Sequence, residues 1–278
     1  MVIRENKGAA EYIQGKGAIS PEGFGRLPPE IRARAVCVAH VGNMDALRDL
    51  IKKIATLPQG ADWRKLRREI AQDITPFMSG NETAARKKAE LLLRTHGFQA
   101  YASGRYEQQR EAKAAVPYWM YLTAGDANVR DEHAALDGKV LPADDPFWQG
   151  HYPPWDFGCR CVVAGVTAGQ ADEIRREDAG KPAPQRRLLE GKALEDARAG
   201  RVAVDGRGRA DVRTPVEKKG GGGYAWTPGR IAPPLAELQS RYSPEEWRLV
   251  EQTLRRERIT GPDGKEVSVL EFIRSLEK

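Results

Sequence analysis

The sequence predicts an α+β protein: an N-terminal helical part with a long helix, a small loop-rich β lobe, and a mostly helical C-terminal tail. Three observations predict it. Apolar residues recur at helical spacing from Pro28 to Ala114. The pattern then breaks at Val116 into an aromatic, strand-length run ending at Thr123. After Thr167, short helical patterns alternate with glycine and proline breakers.

Taken in order, residues 1–26 are polar and glycine-rich, and read as an extended arm with no core of its own. The helical part spans 27–115. Pro28 and Pro29 suit a helix start, with Ile31, Ala35, Val38 and Ala39 on one face and Cys37 in the core. Asn43 can cap a second helix striped by Leu47, Leu50, Ile51 and Ile54, which Pro58 and Gly60 end. Asp62 can cap a third, with Trp63, Leu66 and Ile70 inward. Its charge run, Arg64, Lys65, Arg67 and Arg68, reads as a solvated face. Glu82–Ala114 lacks proline and predicts one long helix, in which His96 reads as a solvated or capping residue, like His40 before it.

The β lobe spans 116–166, with Val162–Val166 as its second strand. Residues 167–219 form a mixed extension: helices at Ala168–Glu177 and Pro184–Ala199, then a short hairpin across Arg201–Val212. A glycine linker at Lys218–Gly223 introduces a small helical module over 220–278. There Ser243, Pro244 and Glu246 form a helix start ahead of Trp247, Val250 and Leu254, and Val269–Leu276 is a last short helix.

Composition narrows the function. The net charge of +6 is spread evenly along the chain, whereas nucleic-acid recognition calls for a clustered basic stripe. No run approaches the ~18 apolar residues of a membrane span, and the N-terminus has no apolar signal region. With Cys37 alone and Cys159 and Cys161 one residue apart, the three cysteines are no disulfide framework and fit a reducing compartment.

The chemistry is concentrated between Trp119 and Cys161, which holds Arg130, Asp131, His133, Asp137, Asp144, Asp145, Trp148, His151, Trp155, Cys159 and Cys161. A loop-rich stretch of that length needs a staple. One reading makes His133, Cys159 and Cys161 ligands of a metal, zinc in the sharper version, with Asp131 or His151 as fourth ligand. Another makes His133 a hydrogen-bonded loop residue beside two small buried thiols. A disulfide is the third, though not between the near neighbours, whose geometry would be strained. Arg130 or Asp131 is expected to orient the His133 ring. Phosphate-loop, nucleophile-elbow and zinc-protease motifs are all missing, and the acids precede His133 where a nucleobase deaminase places Glu after it. No catalytic residue and no cofactor-binding residue is assigned.

The same residues resemble the phage Mu F-like minor head proteins, which share the head-morphogenesis domain. The resemblance rests on Trp119–Asp126 (WMYLTAGD), Val129–Gly138 (VRDEHAALDG), Asp144–Trp148 (DDPFW), Tyr152 with Pro153 and Pro154, and Cys159–Cys161 (CRC). Upstream, Arg94–Glu107 (RTHGFQAYASGRYE), Leu27–Glu30 (LPPE) and Arg32–Val36 (RARAV) look like the family's helix and entry, so the likeness runs over about 26–166. Trp155 and Asp156 depart from it, since the family often has a polar Asn after the prolines. The resemblance implies a structural virion protein rather than an enzyme. It would act in capsid assembly near the portal, with DNA packaging or ejection as an extension. The implied partners are the portal protein, the major capsid protein and packaged DNA, with no membrane. The implied places are the virion head and, during assembly, the host cytoplasm. A metal-dependent nuclease or effector carried in the head is the alternative.

Overall fold

The computed structural model describes residues 7–155, 158–204, 208–213 and 235–277. The architecture is α+β, divided into two compact units, residues 1–104 with 229–278 and residues 105–228. The division falls inside the long helix.

The first unit begins with helix α1 (Lys7–Gln14), strand β1 (Gly17–Ala18), helix α2 (Pro21–Arg26), helix α3 (Pro29–Arg32) and strand β2 (Ala35–Val36). This corrects the expected arm. Ala9, Ala10, Tyr12, Ile13 and Ile19 are buried, so 7–26 is ordered by apolar residues whose partners lie elsewhere in the chain. It also corrects the helix expected through Ala39. The helix ends after Arg32, and β1 pairs in parallel with β2, Gly17 opposite Ala35 and Ala18 opposite Val36. β-branched Val36, Val38 and Val41 favour extended backbone, and Val38 bridges Val41 across a turn where His40 takes φ +71°.

Local signals set the next helices. Asn43 caps α4 (Met44–Ala55) by accepting the Ala46 N–H at 3.0 Å, and Asp62 caps α5 (Trp63–Ile74) by accepting the Lys65 N–H at 2.7 Å. Asn81 does the same for α6 (Glu82–Glu111), which tightens into a 3-10 turn over Ala112–Ala114. Gly97 lets Leu57 press against α6, since a Cβ there would meet the Leu57 methyl at 2.8 Å.

The second unit holds strand β3 (Tyr118–Leu122), helix α7 (Asp131–Ala134), strand β4 (Val140–Pro142), helix α8 (Trp148–His151) and strand β5 (Val162–Val166). β3 is central in an antiparallel sheet ordered β4-β3-β5, with Trp119 opposite both Leu141 and Gly165. Alternation gives β3 two jobs. Tyr118 and Met120 pack on Val140, Val166, Ala171, Ile174 and Leu188. Trp119 and Tyr121, both buried, point to the other face. Helix α9 (Ala168–Asp178) opens with a Thr167–Gln170 capping box.

Helix α10 (Gly191–Arg198) is shorter than the Pro184–Ala199 expected. Residues just before it serve the edge strand instead: Val140 N–H donates to Arg187 O at 2.8 Å and Leu189 N–H to Val140 O at 2.9 Å. Strands β6 (Arg201–Val204) and β7 (Gly208–Asp211) form the expected hairpin. Its turn and the Lys218–Gly223 linker lie outside the described residues.

The chain then returns to the first unit with α11 (Leu235–Gln239), α12 (Pro244–Arg256), β8 (Arg258–Thr260), β9 (Glu266–Ser268) and α13 (Val269–Leu276). The Ser243–Glu246 capping box forms as expected. The described part of the 220–278 module is nevertheless no separate body. β8 pairs with β1 at Ala18 opposite Thr260, giving a sheet ordered β2-β1-β8-β9. Leu238, Leu254, Ile259, Phe272 and Ile273 share one core with Ile19, Leu27, Ile31 and Ala35. Roughly fifty residues bury too little apolar surface to stand alone. Gly17 is required at this junction, because a Cβ would lie 2.5 Å from the Ile259 side chain. No helix among the described residues is long and apolar enough to cross a membrane.

Candidate functional site

In the second unit, the register of β3 against β5 sets Tyr121 opposite Val163 and Leu122 opposite Val162. Cys161 therefore arrives beside the end of β3, just ahead of β5, with Cys159 two residues before it. The third member comes from α7. Arg130 is its N-cap residue, and its carbonyl accepts the N–H groups of His133 at 3.0 Å and Ala134 at 2.8 Å. Asp131 is the first residue of this turn, which carries His133 inward.

The structure brings together His133, Cys159 and Cys161. His133 Nδ1 lies 3.6 Å from Cys159 Sγ and 3.5 Å from Cys161 Sγ. The three potential ligand atoms fall within 4.8 Å of one another. Cys159 is buried and Cys161 half-buried, and no cysteine forms a disulfide. The Cys159 thiol donates toward Cys161, which with His133 and Tyr121 draws Cys161 down to about 5. Cys159 moves upward for the same reason and through burial.

Tyr121 was not singled out from the sequence. Its hydroxyl lies 3.2 Å from His133 Nδ1 and accepts the Trp155 indole N–H at 2.8 Å. Trp155 in turn stacks on the His133 ring, centroids 4.0 Å apart and planes 3° apart. Tyr121 and Trp155 thus orient the imidazole. The alternation of Trp119 and Tyr121 on one strand face was the available signal. Burial pushes the Tyr121 phenol well above its usual value. Outside the triad, Asn128, Arg130, Gly158 and Arg160 line a small cavity that reaches all three side chains. Arg160 forms a bidentate pair with Asp126 at 2.5 and 2.7 Å.

The remaining residues of the dense segment serve its packing. His151 faces the carbonyls of Phe147 at 3.1 Å and Val212 at 2.8 Å, so both ring nitrogens are occupied away from the triad. Trp148 donates its indole N–H to Pro142 O at 2.9 Å and meets Trp119 edge-on at 5.6 Å. Pro153 and Pro154, buried and joined by a cis bond, lead into Trp155. Asp145 is buried against Arg198, and Asp137 caps the Thr123 N–H.

His40 is exposed, as expected, though not in a helix, and His96 corrects its reading. His40 lies in a turn. His96 is buried inside α6 with Lys16, whose amine lies 3.1 Å from His96 Nδ1 and donates to Ala33 O at 2.8 Å and Gln99 Oε1 at 2.7 Å. Cys37 is half-buried against the first unit's core, outside any helix.

Comparison with known proteins finds a similarity for part of the chain. Residues 48–164 match the family model described as Phage Mu protein F like protein. Over 130 residues the chain is 37% identical to the Mu-like prophage FluMu F protein of Haemophilus influenzae, covering 46% of this chain and 29% of that protein. Over 183 residues it is 28% identical to a protein of Escherichia phage Mu provisionally named capsid assembly protein F, covering 60% of this chain and 42% of that one. Minor head protein GP7 of Bacillus phage SPP1 is 31% identical over 101 residues, covering 32% of this chain and 33% of that protein. The chain thus spans less than half the length of each of these relatives. No solved structure gives a significant match.

Proposed function

On the premise that residues 48–164 are Mu F-like, we propose that this chain is a structural minor head protein of a tailed phage or prophage, acting in capsid assembly. The observation that carries the reading is the match itself, which takes in the whole dense segment from Trp119 to Cys161. Relatives named for capsid assembly and for the minor head support it. So does the second unit's construction, where aromatic packing by Trp119, Trp148, Tyr152 and Trp155 holds the loops.

The finer reading concerns place and partners. The chain acts near the portal, contacts the portal protein or the major capsid protein, and belongs to the virion head after assembling in the host cytoplasm. Contact with packaged DNA, in packaging or ejection, is its outermost extension. No step of this role asks for catalysis. The nuclease or effector alternative has no observation in its favour. Magnesium-dependent phosphoryl chemistry takes oxygen ligands, and the donors gathered at His133 are nitrogen and sulfur.

Deleting the gene from the phage or prophage that encodes it tests the reading. The expected result is a loss of infectious particles with head proteins still made, and tagged protein that copurifies with portal-containing heads. Normal yields of infectious particles, with the protein absent from purified heads, would overturn it.

A further inference from the structure

We propose that His133 Nδ1, Cys159 Sγ and Cys161 Sγ form a binding site for a divalent cation of borderline softness, with zinc the ion their geometry fits. The inference stands independently of the role in head assembly.

Distance carries the first part of the argument. A tetrahedral centre with zinc–sulfur bonds of about 2.3 Å and zinc–nitrogen bonds of about 2.0–2.1 Å holds sulfur and nitrogen about 3.5 Å apart. The two separations here are 3.5 and 3.6 Å. The Cys-Arg-Cys segment brings both sulfurs to one ring nitrogen while Arg160 turns away to Asp126.

Hydrogen bonding alone does not account for the arrangement. A ring nitrogen offers one lone pair or one hydrogen. Three polar atoms crowd His133 Nδ1: the two sulfurs and the Tyr121 hydroxyl at 3.2 Å. A cation among them engages the nitrogen and both sulfurs together. Tyr121 then donates to a thiolate as an outer partner, its oxygen fixed by the Trp155 N–H. His133 Nε2, buried and without a hydrogen-bond partner among the described residues, keeps the ring hydrogen.

Charge is consistent with burial. Two thiolates and a neutral imidazole cancel the charge of a divalent ion, so the filled centre buries no net charge. Sulfur donors select against magnesium and calcium, and a tetrahedral sulfur and nitrogen set favours zinc. The fourth position opens to the cavity beside Asn128 and Arg160 and is filled from there. His151 is already committed to two carbonyls.

The test uses the full chain, stripped with a chelator under reducing conditions and reloaded with zinc or cobalt. One metal per chain is expected by elemental analysis, and cobalt should give the near-ultraviolet thiolate charge-transfer band with the visible bands of a tetrahedral ion. Cys159→Ser or Cys161→Ser should abolish the charge-transfer band or cut its intensity, and Tyr121→Phe should weaken affinity about 10-fold. Should the cysteine variants fail to fold, the wild-type chain still decides. Zinc should slow alkylation of Cys159 and Cys161 at least about tenfold, because the thiolate is both nucleophile and ligand, while Cys37 reacts unchanged. Failure of the reloaded wild type to hold metal, or zinc protection no greater at Cys159 and Cys161 than at Cys37, would overturn the site.

Discussion

Of three histidines almost sealed from solvent, His96 in the first unit at 8% exposure and His133 in the second at 2% make the sharpest pair. Their surroundings are opposite. His96 meets the amine of Lys16, itself only 1% exposed, which also serves Ala33 O and Gln99 Oε1. Burial, and then the Lys16 charge, hold His96 well below the ordinary imidazole value. Burial, and then Arg34, do the same to Lys16. His133 meets two sulfurs and a phenol that compete for one nitrogen. The contrast teaches that burial does not decide what a histidine does. A shell of donors turns it into a plain acceptor with nothing left to bind, whereas a shell of soft acceptors leaves a place for a cation.

Trp155→Ala should sharpen the contrast most. It removes the stacking wall of His133 and the donor that fixes Tyr121, and truncating a buried tryptophan costs about 3–5 kcal/mol. Denaturant unfolding followed by hydrogen exchange should show the loss in the second unit, with α1 and α4 protected as before. Equal loss of protection in both units would break the comparison.

Metal removal comes next. An ion present at 100 times its dissociation constant stabilises by about 2.7 kcal/mol. A chelator should therefore lower the exchange protection of β3, β5 and α7 and leave α6 around His96 untouched. Protection lost equally around His96 would contradict the assignment of the two shells.

Lys16→Met should cost about 1–3 kcal/mol, because Ala33 O, Gln99 Oε1 and His96 Nδ1 lose their shared donor. Thermal unfolding in the presence and absence of zinc should give the same difference, since this cluster binds no metal.

The smallest effect is a pH dependence. His96 has a folded pKa below its unfolded value of 6.5, so the unfolded state takes up the proton first. Its contribution is therefore present above about pH 6.5 and is lost as pH falls through that value, by at most about 1.4 kcal/mol per pH unit. Lys16, Arg34 and Tyr12 are the charged and titratable groups that share this pocket. His96→Gln should flatten the acid limb in a denaturant midpoint series run from neutral to mildly acidic pH.

What could be read from the sequence was local. Asn43, Asp62 and Ser243 announced their helices because a cap and the residues it serves lie three positions apart. Val162–Val166 was legible as a strand for a similar reason. His133, Cys159 and Cys161 stood out because their chemistry is rare in this chain, and the structure brings them together. Long-range pairing was not legible. The apolar residues of 7–26 looked too sparse for a core because their partners lie elsewhere: those of α1 in α4, and those of Ile19 at Leu238, Ile259 and Phe272, more than two hundred positions away. Tyr121 and Trp155 were visible as aromatics, but only the sheet register and the ring stacking make them the supports of one imidazole.

The pairing of Ala18 with Thr260 has a consequence in time. A ribosome releases Gly17 and Ala18 long before β8 exists, so the sheet β2-β1-β8-β9 closes only after Thr260 has been made. The second unit needs no such delay, because every strand of its main sheet lies between Tyr118 and Val166. Contacts close in sequence form sooner than distant ones, since distant ones must first overcome the entropy of closing a long loop. Synthesis therefore favours folding from the middle outward: the unit that carries His133 is complete while the first unit still waits for its last strands.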